Sequence, residues 1–216
     1  MERHIVASFL YPFRSGGRLS RWLIGLPLVA LLPICFPFVF GFAVACVRSA
    51  ACDPAAPPPR WRVSRRLLAD GVWTALQAAA LTAPFAAGAW LLAGGLAAVW
   101  RPSADAFLDT ALAWIAAVTI AALPWGVLML LVVPPTLARF AITGRPADLV
   151  AVGWIAACIR ERYAQWNLVL VAVTTAWALA AGCLALLGVG VVAGAFYAIL
   201  VSAHACAALA PDRTAG

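Results

Sequence analysis

Charge is what this sequence has least of. Only 11% of its 216 residues are charged and 65% are hydrophobic, where soluble domains carry about 25% and 45–50%. A water-soluble globule cannot cover itself at that composition, and disorder requires low hydrophobicity. Both are excluded, which leaves an integral membrane protein. Lysine is absent, since all 15 basic residues are arginine. With the abundance of alanine, that absence reads as GC-rich coding bias and carries no functional weight. Histidine occurs only as His4 and His204, and the cysteines at 35, 46, 52, 158, 183 and 206 form no CxxC pair. Zinc and redox sites need clustered ligands, so no metal and no cofactor is expected. The cysteines read as small packing residues. GxSxG, P-loop and HExxH motifs are missing, as are evident paired carboxylates, and the expectation is that the chain is not an enzyme. The first apolar run is too long for a signal peptide and has no clear cleavage site, so it is expected to stay in the mature chain.

What is present is a series of apolar runs. A bilayer core takes about 20 helical residues, and residues 70–100, 110–133, 167–187 and 190–210 meet this. Backbone groups in lipid must be satisfied internally, so each is helical. Arginine placement sets the orientation. The 48–66 loop carries Arg48, Arg60, Arg62, Arg65 and Arg66 against Asp53, a net of +4, and 134–166 carries Arg139, Arg145, Arg160 and Arg162 against Asp148 and Glu161, a net of +2. The 101–109 loop, with Arg101, Asp105 and Asp109, nets −1, and the 188–189 connection is uncharged. The basic segments are therefore expected on the cytoplasmic side, together with the C-terminal Asp212 and Arg213.

Residues 22–47 pose a conflict. The run is long enough to span, yet the segment before it nets +3 (Arg3, Arg14, Arg18 and Arg21 against Glu2) and the loop after it nets +4. A single span puts one arginine cluster outside. Pro27, Pro33 and Pro37 interrupt the run, and interior proline kinks or breaks a helix. The preferred reading is a re-entrant helical hairpin, Trp22–Leu32 going in and Phe38–Val47 coming out, with the tip covered by other helices. The alternative is five spans. Residues 147–163, apolar but short and ending in Arg160-Glu161-Arg162-Tyr163, read as a cytoplasmic-side interfacial helix. Residues 3–14 suggest a second one. The fold class expected is all-α: four transmembrane helices, the N-terminal hairpin and an interfacial helix, in a single polytopic membrane domain over 1–216.

Several short patterns occur in order along most of the chain. They are Tyr11-Pro12-Phe13, Trp22-Leu23-Ile24-Gly25, Gly41-Phe42, Pro59-Arg60-Trp61 and Leu67-Leu68-Ala69-Asp70-Gly71. Ala138-Arg139-Phe140, Thr143-Gly144-Arg145 and Tyr197…Ala203-His204 follow. In order and spacing the chain resembles the domain-of-unknown-function 4013 family of small prokaryotic polytopic membrane proteins. The resemblance implies the layout, including two helical arms at the N-terminus, and supplies no catalytic residues.

Candidate functional positions are few. Asp70, Gln77 and His204 form a candidate intramembrane polar site, because intramembrane acids are costly and often functional. The plainer reading pairs Asp70 with Arg65 or Arg66 at helical spacing and makes His204 a neutral, hydrogen-bonded residue. Arg60, Trp61, Arg62, Arg65 and Arg66 suit an anionic membrane surface, where each basic residue contributes roughly 1 kcal/mol. Their juxtamembrane position disfavours nucleic acid. Gly190, Gly194, Ala198, Ser202 and Cys206 recur every fourth residue and form a helix-packing ridge, directed either within the chain or toward a second copy or partner. Ala75, Ala79, Ala83 and Ala87 form a similar line that is expected to face it. The function expected is a structural, lipid-interacting or complex-associated subunit of the prokaryotic cytoplasmic membrane, with both termini cytoplasmic. A small transporter is the rival and an intramembrane lipid enzyme the third reading.

Overall fold

A computed structural model describes residues 2–14, 18–99, 106–186 and 188–211. Every regular element among them is helical: α1 (Glu2–Leu10), α2 (Arg18–Ala30), α3 (Leu32–Cys52), α4 (Arg65–Val99), α5 (Ala106–Thr143), α6 (Val152–Glu161), α7 (Tyr163–Gly182) and α8 (Val189–Cys206), with short 3-10 turns between some of them. Five helices among the described residues are long and apolar enough to cross a membrane: Leu32–Cys52, Arg65–Val99, Phe107–Thr143, Tyr163–Gly182 and Val189–Leu209. Residues 101–105 of the acidic loop, Trp100 and the C-terminal Asp212 and Arg213 lie outside the described residues.

The chain divides into two compact units, residues 1–75 with 133–216, and residues 76–132. In the first, α7 and α8 run antiparallel. Gly194 packs on α7 so closely that an added Cβ would sit 3.0 Å from the Ala180 Cα. At the other end of the pair the Gln165 amide donates to the Ala208 carbonyl, and Arg162 Nη1 donates to the Ala210 carbonyl at 3.2 Å. Ala176, Ala180, Ala198 and Val201 form the buried centre between them. The small-residue ridge of α8 thus packs on α7 of the same chain at Gly194 and Ala198. In the alanine line of α4, Ala79, Ala83 and Ala87 are exposed.

The N-terminal apolar run folds back on itself. As one straight helix, Arg21 and Phe42 would stand about 32 Å apart at 1.5 Å per residue. Instead Trp61 touches both: its ring stacks on Phe42 with centroids 3.8 Å apart, and its Nε1 donates to the Arg21 carbonyl at 3.3 Å. The fold-back is present, the second arm is one of the five helices long enough to span, and the details differ from the sequence expectation. The break falls at Leu31, before Pro33, and Pro27 and Pro37 both lie inside helices. The second arm is the full 21 residues of α3, not Phe38–Val47. Nor is the tip covered, since Leu31 and Ile34 are exposed. Three of its backbone donors are met locally. Leu31 N bonds the Pro27 carbonyl, Ile34 N and Cys35 N share the Leu31 carbonyl, and Pro33 has no N–H to satisfy. Local pairing of this kind is what an apolar surround demands.

α3 and α4 cross in close backbone contact. A Cβ added to Gly71 would run into the Pro37 carbonyl oxygen, and one added to Gly41 into that of Leu67. Both obstacles are backbone, so neither can swing aside. α5 extends ten residues beyond the expected end at Val133, through Pro134 and Pro135. Two side chains supply donors at this stretch: Thr136 Oγ1 to the Val133 carbonyl (3.3 Å) and Trp154 Nε1 to that of Pro135 (2.9 Å). The expected 147–163 helix is shorter, a 3-10 turn at Pro146–Val150 followed by α6, with the chain bent at Arg162 before α7.

The second unit comprises the rest of α4 and α5, again antiparallel. Ala89, Ala93, Ala113 and Ala117 are buried along the seam. Trp90 meets Trp114 edge to face at 5.3 Å, and Trp125 Nε1 donates to Thr82 Oγ1 at 3.1 Å. Its outer faces are apolar and exposed, with Leu91, Ile115, Ile120 and Leu123 among them, as a lipid-facing surface requires.

Gly71→Ala is expected to destabilise the protein in detergent by about 1–3 kcal/mol, the usual cost of overpacking. Gly88→Ala, where an added Cβ meets nothing within 4 Å, should leave the unfolding temperature unchanged or slightly raised. Thermal unfolding of the two variants side by side checks the crossing.

Candidate functional site: an arginine-lined cleft and a buried histidine

Arg48 is the hub of the first cluster. It lies two turns after Gly41 on α3, and helical side chains lean toward the N-terminus of their helix, so it reaches back along α3 toward α4. Its Nη2 binds Asp70 Oδ2 at 2.8 Å, and its Nε donates to the Ala141 carbonyl at 2.7 Å. That carbonyl belongs to the last turn of α5, where acceptors lack helical partners and a cation is favoured. One guanidinium thus ties α3, α4 and α5. Asp70 is buried, and its own carbonyl accepts from Thr74 Oγ1 at 2.8 Å.

Beside this pair opens a cleft of about 140 Å³, lined by Arg48, Arg60, Arg62, Ser64, Arg66 and Asp70 over a floor that includes Phe42. Trp61, pinned between Phe42 and the Arg21 carbonyl, fixes the strand of chain carrying Arg60 and Arg62. Ser64 caps α4 by accepting from Leu67 N at 3.1 Å, the usual N-cap bond. Arg60, Arg62 and Arg66 are exposed.

The second cluster is closed. His204, Ser8 and Tyr11 are all fully buried. Ser8 Oγ lies 2.8 Å from His204 Nδ1, and His204 Nε2 lies 3.2 Å from the Pro54 carbonyl. A carbonyl only accepts, so the proton toward it sits on Nε2, and in the neutral imidazole Nδ1 then accepts from the Ser8 hydroxyl. The Tyr11 ring packs 4.4 Å from the imidazole. Burial pushes the Tyr11 phenol above its usual range, and the neighbouring Cys46 thiol acts in the same direction. Arg14 Nη1 also donates to the Pro54 carbonyl, at 2.6 Å, and Tyr197 Oη to that of Phe9 at 3.1 Å. A serine hydroxyl on an imidazole is the spacing of a nucleophile–base pair. Here it is enclosed, and it fastens the N-terminal segment and the 53–64 loop to the end of α8.

A third group holds the end of α5 against α6. Arg139 Nε pairs with Asp148 Oδ1 at 2.7 Å, and Thr143 Oγ1 donates to Asp148 Oδ2 at 2.6 Å. The Trp154 ring lies 5.3 Å from the Arg139 guanidinium carbon and 5.9 Å from that of Arg162, within cation–π range.

Of the residues expected to form one polar site, Asp70 and His204 have separate partners. Asp70 belongs to the Arg48 pair and not to Arg65 or Arg66, both of which are exposed. His204 belongs to the Ser8 tie. Gln77 is buried two turns along α4 and falls in the second unit. Of the expected lipid-contact set, Arg60, Arg62 and Arg66 converge on the cleft, Trp61 braces it, and Arg65 is outside its lining. Sequence reasoning missed Arg48, Ser8, Tyr11 and Pro54. Tyr11 stands in the Tyr-Pro-Phe pattern, which was the one available signal. The partners of His204 are 150 and 196 residues away in sequence, and nothing local points to them.

A family model described as "Protein of unknown function (DUF4013)" matches residues 25–201, well over half of the chain. No curated protein and no solved structure matches it.

Two outcomes follow from these clusters. Arg48→Gln should cost about 3 kcal/mol, because it strands a buried carboxylate, while adding Asp70→Asn should recover part of that loss. Denaturation of the two single variants and the double variant in detergent measures the coupling. His204→Ala should release the N-terminal segment, seen as faster proteolysis within residues 1–21 at otherwise native helicity.

Proposed function

We propose that this chain, which belongs to the DUF4013 family, is a non-enzymatic multi-pass protein of a prokaryotic cytoplasmic membrane that engages anionic lipid through its arginine-rich face. The observation that carries this reading is the gathering of arginines at one end of the first unit. The 53–64 loop touches Arg14, Arg21 and His204. The end of α3 touches the start of α4 and the end of α5. Arg162, at the start of α7, bonds the chain just past α8. The N-terminal segment, the basic loop and the C-terminal turn share that end, as expected if both termini and the arginines face the cytoplasm.

Val150, Val152 and Tyr163 are exposed around α6 at this end, which suits a helix lying in the headgroup region. The partner proposed is the bilayer and its anionic headgroups. An oligomeric or complex-associated role loses its main motif, because the α8 ridge is occupied within the chain. Nucleic acid is not a partner in this reading. A transport role needs Asp70, Gln77 and His204 to line one solvated cavity, and the ion pair of Asp70 and the enclosure of His204 leave that reading unsupported.

Cys52 is exposed beside the basic loop. A membrane-impermeant maleimide should modify it in inverted vesicles and not in intact cells, with the signal lost in Cys52→Ala. Cys158, whose thiol burial pushes up, should stay unmodified. Lipid engagement is tested in nanodiscs. Adding phosphatidylglycerol to phosphatidylcholine should raise the unfolding temperature, and the gain should shrink at high salt. Equal stability in both bilayers would contradict the reading.

A further inference from the structure

We infer that the cleft between α3, α4 and the 60–64 segment is a discrete binding site for a phosphomonoester group, an inference that rests on the lipid-engaging reading above. The first observation is charge without counterion. Arg48 has Asp70, Arg139 has Asp148 and Arg160 has Glu161. Arg60, Arg62 and Arg66 have no carboxylate partner among the described residues, and all three line the same cleft. With Arg48 and Asp70 the lining carries four positive charges and one negative, a net of +3. Guanidinium groups held this close repel one another, and an anion between them removes that cost.

The second observation is construction. Arg48 is not a free surface side chain. Two of its five N–H donors are committed to Ala141 and Asp70, which fixes the guanidinium and leaves three donors. Ser64 and the first turn of α4 lie beside it. Trp61 is clamped at both its ring face and its Nε1, so the segment with Arg60 and Arg62 has a set path. The cleft volume of about 140 Å³ is roughly ten times the ~10–15 Å³ that one water needs, which admits a tetrahedral anion with accompanying waters.

The third is valence. A phosphomonoester carries about −1.5 to −2 charges near neutral pH and three terminal oxygens. A phosphodiester offers a single charge and two such oxygens. Several arginines around a small volume suit the first, because each terminal oxygen can take charge-assisted bonds from a separate guanidinium. The site lies where the basic loop meets the first turn of α4, so the group can arrive as a lipid headgroup or on a soluble molecule.

The test uses the full chain purified in a neutral detergent and titrated with dioctanoyl phosphatidic acid, dioctanoyl phosphatidylglycerol and glycerol phosphate. Native mass spectrometry and thermal shift are the readouts. The expected result is a preference of at least tenfold for phosphatidic acid over phosphatidylglycerol, lost in the Arg60→Gln/Arg62→Gln/Arg66→Gln variant and kept in Arg160→Gln. Glycerol phosphate that competes with the lipid at equal concentration assigns the site to a soluble phosphomonoester. Failure to compete assigns it to a lipid. Equal affinity for the two lipids overturns the site while leaving a diffuse lipid-engaging face intact. Binding of neither anionic lipid overturns both. A preference that survives the triple variant overturns the cleft as its location.

Discussion

The contact on which the first unit depends is backbone against backbone, where α3 meets α4 at Gly41 and Gly71. Lipid tails are as apolar as leucine, so helices in a membrane gain little from burying more apolar surface and much from close packing. At this crossing the helices approach to a distance that no Cβ tolerates. The approach brings the Arg48 guanidinium to the Asp70 carboxylate, and it brings the start of α4 under the basic loop. The ion pair, the cap on the end of α5 and the cleft are consequences of two missing side chains.

The N-terminal hairpin shows a second constraint. Turning a chain inside an apolar medium exposes peptide groups, and each unsatisfied one costs several kcal/mol. Leu31 solves this with its carbonyl, which takes both Ile34 N and Cys35 N, while proline removes a donor that would otherwise lack a partner. The turn is exposed at Leu31 and Ile34. Its arms are held from the other end, by Trp61 across Arg21 and Phe42, and by the Ser8–His204–Pro54 tie. Tyr11 and Phe9 add ring and backbone contacts to the same fastening.

The membrane class, the helices and the fold-back of residues 22–47 were legible because they follow from composition, run length and charge balance across a segment. Helix ends were less so. Proline at 134 and 135 reads as a stop, yet α5 runs through both to Thr143. The same limit applies to the sites. Asp70 stood out as a buried acid, but its partner Arg48 is 22 residues away on another helix, and helical spacing pointed to Arg65 and Arg66 instead. The basic cluster was visible as a run of arginines. That three of its members share one cleft with Arg48 depends on where Trp61 is clamped, which no local pattern encodes.

The arginines separate into two kinds, and the separation carries the functional argument. Arg48, Arg139 and Arg162 bond carboxylates or carbonyls and join elements, so removing one leaves a buried acceptor unmet. Arg60, Arg62 and Arg66 form no ion pair among the described residues, and they line one cleft together. Their number suits the cytoplasmic orientation signal, but orientation does not require them to share one opening. A loose arrangement would spread them apart in solvent, but Trp61 and the Ser64 cap hold the segment that carries them. The fold thus gathers three exposed cations around one opening, an arrangement that suits an anion, and the headgroup region is where phosphate is most abundant.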